Sequence, residues 1–512
     1  MQANWKSRVL GWSAVVLLSA APGAFGANAP AMDKDTVVIA IGKDIGSLDV
    51  QQVTTGDSSR YAWQMFDTLY AFDRKGNMVP RLATAYKISD DKLEYRFTLR
   101  PDVTFHDGTR MTAADVKYSL ERILDPATRS TRRPNFLPVV DRVEAPDDKT
   151  VVIKLKVPDG AFLNKVAGFL YIVPKKYTES LPSPEAFAKA PVGTGPFKFV
   201  EQKVGQQVVI ERFDGYFGEK PRIKRIVYKL IPEPTSRVNA LITGEVDMAD
   251  LLPTNAVERL KATPGIDVMP VAAGSPLGVK LYANDPSLPL YKRDVRLALQ
   301  YAIDVNAIIK SVYHGVGAPL ATYLSAYYPY GVDPNLKPLP YDPRKAKELL
   351  AKAGYPNGFE LVLNSGSDMP KELSDTLAAY WGAVGVKTKI NRMDYTAWIR
   401  AHNVHKSGPA TISQFANAIY DPIHVYYGSA AKDGTWSDYY NPEVEALIDE
   451  VSRVPDTAGR DKIFRKIGKL LQDDAYYTLI TELIYVFGKN ANLTWTPQEG
   501  ISWYNLRDLA WK

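Results

Sequence analysis

The sequence predicts a mixed α/β fold divided into several lobes. Three observations carry this expectation. β-branched or alternating apolar runs and helix-period segments follow one another without strict strand–helix–strand regularity. The 512 residues exceed what one hydrophobic core normally holds. A composition of 46% hydrophobic and 23% charged residues is that of a folded globular protein, and no tandem repeat or low-complexity tract interrupts it.

Taken in order, residues 36–42 form a continuous apolar run and predict a buried strand. Leu93, Tyr95, Phe97 and Leu99 alternate with polar residues, as do Val151, Ile153, Leu155 and Val157, so both segments predict half-buried strands. Between them Thr112 stands as an N-cap with Asp115 three residues on, and Val116, Ser119, Leu120 and Ile123 share one helical face. Strands are expected at 208–210 and 226–228, then a helix at 234–242 stopped near Gly244, a strand at 279–282 and a helix at 295–303. Asp342-Pro343 supplies a cap and a first-turn proline for a helix that Gly354 closes. A strand at 361–363, a helix at 375–384, a strand at 386–390 and helices at 444–451 and 463–471 complete the series.

At the N-terminus Lys6 and Arg8 precede an apolar stretch that Pro22-Gly23 break, and Ala24-Phe25-Gly26 offer small residues for cleavage. This predicts a signal peptide over residues 1–26 and export from the cytoplasm. A membrane anchor is the alternative, but the apolar run is shorter than the roughly 20 residues that span a bilayer. Formal net charge is +6, and +4 without Lys6 and Arg8, with no basic cluster of the nucleic-acid-binding kind. The sequence has no cysteine, which excludes disulfides, thiolate metal sites, cysteine nucleophiles and a thioether lipid anchor.

The run Pro191-Val192-Gly193-Thr194-Gly195-Pro196-Phe197 predicts a tight turn entering a strand, with two glycines permitting angles closed to other residues. Other blocks accompany it. Gly46-Ser47-Leu48-Asp49 precedes Phe66-Asp67-Thr68-Leu69-Tyr70, expected as a helix, and Pro80-Arg81-Leu82-Ala83 follows. Leu99-Arg100-Pro101-Asp102-Val103-Thr104-Phe105-His106-Asp107-Gly108 meets Thr112-Ala113-Ala114-Asp115-Val116. Further along stand Arg237-Val238-Asn239-Ala240-Leu241, Asp294-Val295-Arg296-Leu297-Ala298-Leu299 and Tyr341-Asp342-Pro343. In number and order these blocks resemble the extracellular solute-binding proteins of family 5, the peptide, nickel and opine receptors of ABC importers.

The resemblance implies a periplasmic binding protein-like, class II architecture with three lobes and a hinged cleft between lobes I and III. The expected division is 27–75, 191–276 and 487–512 for lobe I, 76–190 for lobe II and 277–486 for lobe III. It also implies a monomeric periplasmic receptor that captures a peptide-like or other amphipathic solute, needs no cofactor, and hands the solute to permease subunits by hinge closure.

Two segments are expected to line that cleft. One is the loop with Thr54, Thr55 and Gly56, which approaches the solute in the family; a helix N-cap by Thr55 or Asp57 is the alternative. The other is Phe415-Ala416-Asn417-Ala418-Ile419-Tyr420-Asp421-Pro422, with Trp398 upstream. Peptide-binding relatives commonly hold an amine-pairing aspartate shortly before the Asp-Pro pair, where this chain has Asn417 and Ala418. A neutral, blocked or sugar-like solute therefore fits, held by Asn417 between Phe415 and Tyr420. Alternatively Asp421 or Asp394 supplies the charge. His402, His405 and His424 leave a nickel-chelate receptor as a second reading, although no carboxylate stands at ligand spacing between His402 and His405. A secreted hydrolase is the third. Against it, the sequence lacks a Gly-x-Ser-x-Gly elbow and a His-Glu-x-x-His pair, and His106 is expected to be packed or capping rather than catalytic.

Overall fold

Two long strands, Ile266–Leu281 and Tyr477–Asn490, form the spine of the molecule. The computed structural model describes residues 35–45, 47–52, 63–500 and 505–512. The predicted signal peptide lies outside these residues. The two strands run antiparallel from Ile266 opposite Asn490 to Lys280 opposite Tyr477, with the register broken between Ala272 and Pro276. On one side of this ladder the sheet continues through Ala410–Gln414 and Glu360–Gly366 to Lys387–Met393. On the other it continues through Met248–Ala249, Thr36–Ile41, Arg225–Leu230 and Gln207–Arg212 to Phe197–Lys203. One ten-stranded mixed sheet thus extends to both sides of the spine, whose ladder is interrupted between Ala272 and Pro276 and again between Leu277 and Gly278.

A separate antiparallel sheet in the order Ala83–Ile88, Glu94–Leu99, Thr150–Leu155, Val140–Asp147 builds another lobe. The helix Ala113–Leu124 covers it, burying Val116, Leu120 and Ile123. Asp115 accepts from the Thr112 backbone N–H at 2.8 Å, as the cap pattern predicts. The apolar core of this lobe is continuous with that of the helices Ile423–Ala430, Pro442–Arg453 and Thr457–Asp474, through residues such as Phe162, Ile419 and Phe464. The second lobe is therefore packed against the third.

The helix at Pro234–Ile242 falls where the periodicity places it, and Pro343–Lys352 starts with Asp342 accepting from Lys345 N–H at 2.9 Å. Several expectations are corrected. Phe66 and Asp67 have left the helix that ends at Met65, and Tyr70–Phe72 is a strand. The second-lobe strand ends at Leu155, leaving Val157 exposed. The long spine strand 266–281 escapes the pattern because Pro270, Gly274, Pro276 and Gly278 look like turn residues.

The glycine run also works differently from expectation. Neither Gly193 nor Gly195 has a positive φ. They are required by close approach: a Cβ on Gly193 would lie 2.1 Å from Met65 O, and one on Gly195 2.5 Å from Met65 C. His106 clasps the turn, with Nδ1 accepting from Gly193 N–H at 3.1 Å and Nε2 donating to Gly195 O at 3.0 Å. Burial holds this ring neutral, its pKa lowered to about 4.

Candidate functional site

A buried polar hub lies just ahead of the Thr54–Gly56 segment. Gln51 is fully buried and donates through Nε2 to Ser119 O and Tyr171 O, both at 3.1 Å. Its Oε1 accepts from Arg122 at 2.7 Å, and its backbone carbonyl accepts from Ser130 Oγ at 2.7 Å. Arg122 in turn forks onto Asp49 at 2.5 and 3.2 Å. Gln52 reaches Thr128 O at 3.0 Å. These bonds lock the chain just before the Thr54–Gly56 segment against the loop that carries Arg132.

The break in the spine ladder supplies the second edge. Gly274 has φ +63°, and a Cβ there would collide with Gly500 O at 2.0 Å, so only glycine fits. Asn417 staples this point: its N–H donates to Gly274 O at 3.1 Å, its Nδ2 to Gly500 O at 3.1 Å, and its Oδ1 accepts from Tyr420 N–H at 2.8 Å. Tyr420 adopts φ +50°, accepts from Gln498 Nε2 at 2.6 Å and packs on Phe72 with centroids 4.9 Å apart.

Between these edges runs a chain of rings. Tyr395 stacks on Trp398 at 5.8 Å, and Trp398 meets His402 at 4.2 Å and Trp436 at 5.8 Å. Phe415 stands edge-on to Trp436 at 5.4 Å and to His424 at 5.2 Å, and His424 meets Phe169 of the second lobe at 5.7 Å. Lys43, just after the first strand, sits 4.7 Å from the Tyr395 ring, so the wall also touches the first lobe. Behind it the buried pair Lys280–Asp438 at 2.5 Å fixes Trp436, whose carbonyl accepts from Lys280 Nζ at 3.1 Å. At the second-lobe end the Arg132 guanidinium lies 4.5 Å over Phe169. Arg132 Nε is buried without a hydrogen-bond partner, and burial lowers the pKa of the group. His424 is held neutral, its pKa lowered to about 3 first by burial and then by Arg132 and Lys165. Within this row Trp398, His402 and Phe169 are buried, while Phe415, Trp436 and His424 are half-buried.

Comparison with known proteins identifies this architecture. The family model for the bacterial extracellular solute-binding proteins, family 5, matches residues 77–437. The chain belongs to that family. A glutathione-binding protein GsiB of Pectobacterium atrosepticum is 31% identical over 87% of this chain and 88% of its own length. Heme-binding protein A of Haemophilus influenzae is 31% identical over 80% of each chain. Among solved structures, the periplasmic binding protein DppA of Helicobacter pylori in complex with the peptide STSA superposes with a TM-score of 0.84 at 27% identity, covering 93% of this chain and 98% of that one.

In this family 5 member the predicted site residues fall into distinct settings. Thr54, Thr55 and Gly56 lie outside the described residues. Phe415 is half-buried on the aromatic wall; Trp398 is in the same wall but buried. Asn417 is fully buried and commits its side-chain oxygen and nitrogen to Tyr420 and Gly500. Tyr420 is 2% exposed and joins the third lobe to the C-terminal segment. Asp421 is fully buried and bridges Arg460 at 2.6 and 2.7 Å while accepting from Tyr330 OH at 2.8 Å. Its carboxylate is thereby committed to the fold. Asp394 is exposed at the start of the helix Tyr395–Asn403. His402 Nδ1 bonds Trp398 O at 3.0 Å and His405 Nδ1 bonds Ser437 O at 2.9 Å. No group of three metal-ligating side chains gathers among the described residues.

The residue that the sequence reading missed is Arg132. Its signal was present as an arginine-rich loop, Arg129 with Arg132-Arg133, but nothing in the linear order distinguishes a paired from an unpaired arginine. Arg133 donates to Leu124 O at 2.8 Å, a structural bond, while Arg132 faces the rings.

Proposed function

We propose that the chain is the solute-capturing subunit of an ABC importer, exported by the signal peptide at residues 1–26 and working as a monomer in the periplasm. The supporting observation is the aromatic wall that runs from Tyr395 through Trp436 and Phe415 to Phe169, beside a pivot reduced to glycine at Gly274. Solute docks on this wall, with Phe415 contributing ring surface, the buried Trp398 backing it and the Thr54–Gly56 loop closing from the first lobe. Asn417, Tyr420 and Asp421 shape the site by holding its edge. The lobes divide as the sequence blocks place them, near residues 76, 191, 277 and 487. Closure about the Ala272–Pro276 break traps the guest for delivery to the permease. No helix among the described residues is long and apolar enough to cross a membrane, which fits a receptor that acts beside its permease.

The relatives named above bind glutathione, heme and a tetrapeptide, and a peptide-sized amphipathic solute suits this wall as well. Binding proceeds without turnover. Native mass spectrometry of the protein purified from its own host is expected to show a one-to-one small-molecule complex, and small-angle scattering a more compact particle when it is loaded. A chemically altered solute recovered after incubation would overturn the receptor reading.

A further inference from the structure

Beside the interrupted spine ladder stands a buried acid that the receptor reading does not use. Glu482 lies on the strand Tyr477–Asn490 opposite Pro276, the first paired residue beyond the break at Ala272. Its side chain ties two parts of the chain together. The Ala326 N–H donates to Oε1 at 3.1 Å, the Ser325 hydroxyl donates as well, and so does the N–H of Gly274, the glycine at the break. Gly274 is itself held by Asn417 N–H, which donates to its carbonyl at 3.1 Å, and Gly500 N–H reaches Ala272 O at 2.9 Å. One carboxyl group thus joins the loop at Ser325–Ala326 to the backbone at the break.

Among the described residues no basic side chain answers it. Its Oε2 has no hydrogen-bond partner, and the charge that acts on the group is a second acid, the exposed Glu499 next to Gly500. The other ionisable groups facing it are Tyr327 and Tyr328, and burial raises both phenols, so they stay neutral. Asp421, which also acts on Tyr328, is paired with Arg460. Residues 501–504 read Ile-Ser-Trp-Tyr and add no cation. Burial raises the pKa of Glu482 by more than its three donors lower it, and Glu499 raises it further.

We propose that Glu482 is the positioning residue of the pivot and couples closure of the cleft to the uptake of a proton, so that the receptor closes more readily as its surroundings acidify. The proposal rests on the receptor reading with its hinge at Ala272–Pro276, and deepens it by giving that hinge a controlling group. Rotation at the break carries Gly274 away from Ser325–Ala326 and lets water reach the carboxyl group. A hydrated carboxyl ionises in its ordinary range, whereas the enclosed one keeps its proton to higher pH. The conformation with the lobes together, in which Lys43 of the first lobe lies 4.7 Å from the Tyr395 ring of the third, therefore binds the extra proton, and by linkage acid favours it.

The test reads closure in the empty protein and needs no solute. Because the sequence has no cysteine, Val204→Cys on the first lobe and Val404→Cys on the third, both exposed, carry the only spin labels in the mature chain. Double electron–electron resonance is expected to show the closed-to-open ratio rising about threefold or more from pH 7.5 to pH 5.0. Glu482→Gln keeps the shape and the neutral state, and should hold the ratio at its acid value throughout. A ratio that does not move with pH when Glu482 is present, or that still moves in Glu482→Gln, overturns the proposal. If Glu482→Gln does not fold, Glu499→Gln decides: without the second acid the midpoint of the transition should shift to lower pH, and an unmoved midpoint overturns the coupling. A single distance at every pH removes the hinge and the proposal with it. In each of these failures the receptor reading is decided separately, by the solute that native mass spectrometry finds bound.

Discussion

Arg122 and Arg132 stand ten residues apart on the second lobe, and both lie against a phenylalanine ring, Phe187 at 5.4 Å and Phe169 at 4.5 Å. They differ in counter-charge. Arg122 is clamped by the buried Asp49 and by Gln51, and closes a hub that fixes the first lobe to the second. Arg132 has a ring and, among the described residues, no acid. The first arginine has its opposite charge within the fold, and for the second none stands among the described residues. Burial of a charge is thus a poor guide to function by itself; what separates framework from site is whether the fold also provides the opposite charge.

The largest expected effect comes from turning the first arginine into the second. Asp49→Asn removes the counter-charge of Arg122 while keeping the shape, and should lower stability in urea unfolding by about 3–5 kcal/mol. Asp421→Asn should do the same through Arg460. Adding Arg122→Met to Asp49→Asn is expected to recover much of the loss, since the penalty belongs to the unpaired cation. A loss below about 1 kcal/mol for Asp49→Asn would break the contrast, because an unpaired arginine would then be an ordinary state for this lobe.

A similar contrast holds within the Phe415–Pro422 segment. Tyr420 is buried in contact with Phe72 and Gln498, so Tyr420→Ala should cost about 3–5 kcal/mol and Tyr420→Phe about 1 kcal/mol. Chemical denaturation of the empty protein measures both. A Tyr420→Ala variant with unchanged apo stability and weakened binding would return Tyr420 to the cleft surface.

Much of this architecture stood in the linear pattern. Periodicity located the helices that open at Pro234 and Pro343 because one face of each is apolar and its ends are capped by local chemistry. The hinge strand 266–281 did not stand there, since its pairing with Tyr477–Asn490 joins residues some 200 positions apart, and its prolines and glycines carry the signature of turns. The site divides in the same way. The family blocks put Phe415 and Trp398 in one expected wall, and the structure joins the two through Trp436. That Asp421 faces Arg460, that Asn417 has its side chain committed, and that Arg132 has no acid among the described residues are all facts of partnership, and no single-residue pattern encodes them.

Acid should act on the wall before it acts on the arginine framework. His402 and His424 both have pKa values lowered to about 3, by burial first, against an ordinary 6.5. The native state keeps both rings neutral, whereas the unfolded chain protonates them below pH 6.5. Their contribution is therefore intact above pH 6.5 and is lost as pH falls from there towards 3. At pH 5.5 each ring should have cost about 1.4 kcal/mol. Urea midpoints at pH 7.5 and 5.5 check this, and His402→Gln should remove about a third of the histidine part of the difference, since His106, lowered to about 4, titrates over the same window. A flat profile would mean that these rings are solvated and that the wall is not a desolvated surface.

The smallest effect on stability is expected at Phe415, and it separates the wall from the edge that holds it. Phe415 is half-buried and meets Trp436 and His424 edge-on. Two such ring contacts with partial burial are worth about 1–2 kcal/mol together, well short of the value for Tyr420. On the proposed reading, the part of this ring not taken by Trp436, His424 and the close approach of Gly428 meets the guest. Phe415→Ala should therefore weaken solute binding by about tenfold or more while lowering apo stability only slightly. If instead Phe415→Ala and Tyr420→Ala destabilise the empty protein equally, the rings from Trp398 to Phe169 are interior packing, and the guest has to be sought on the first-lobe side of the pivot.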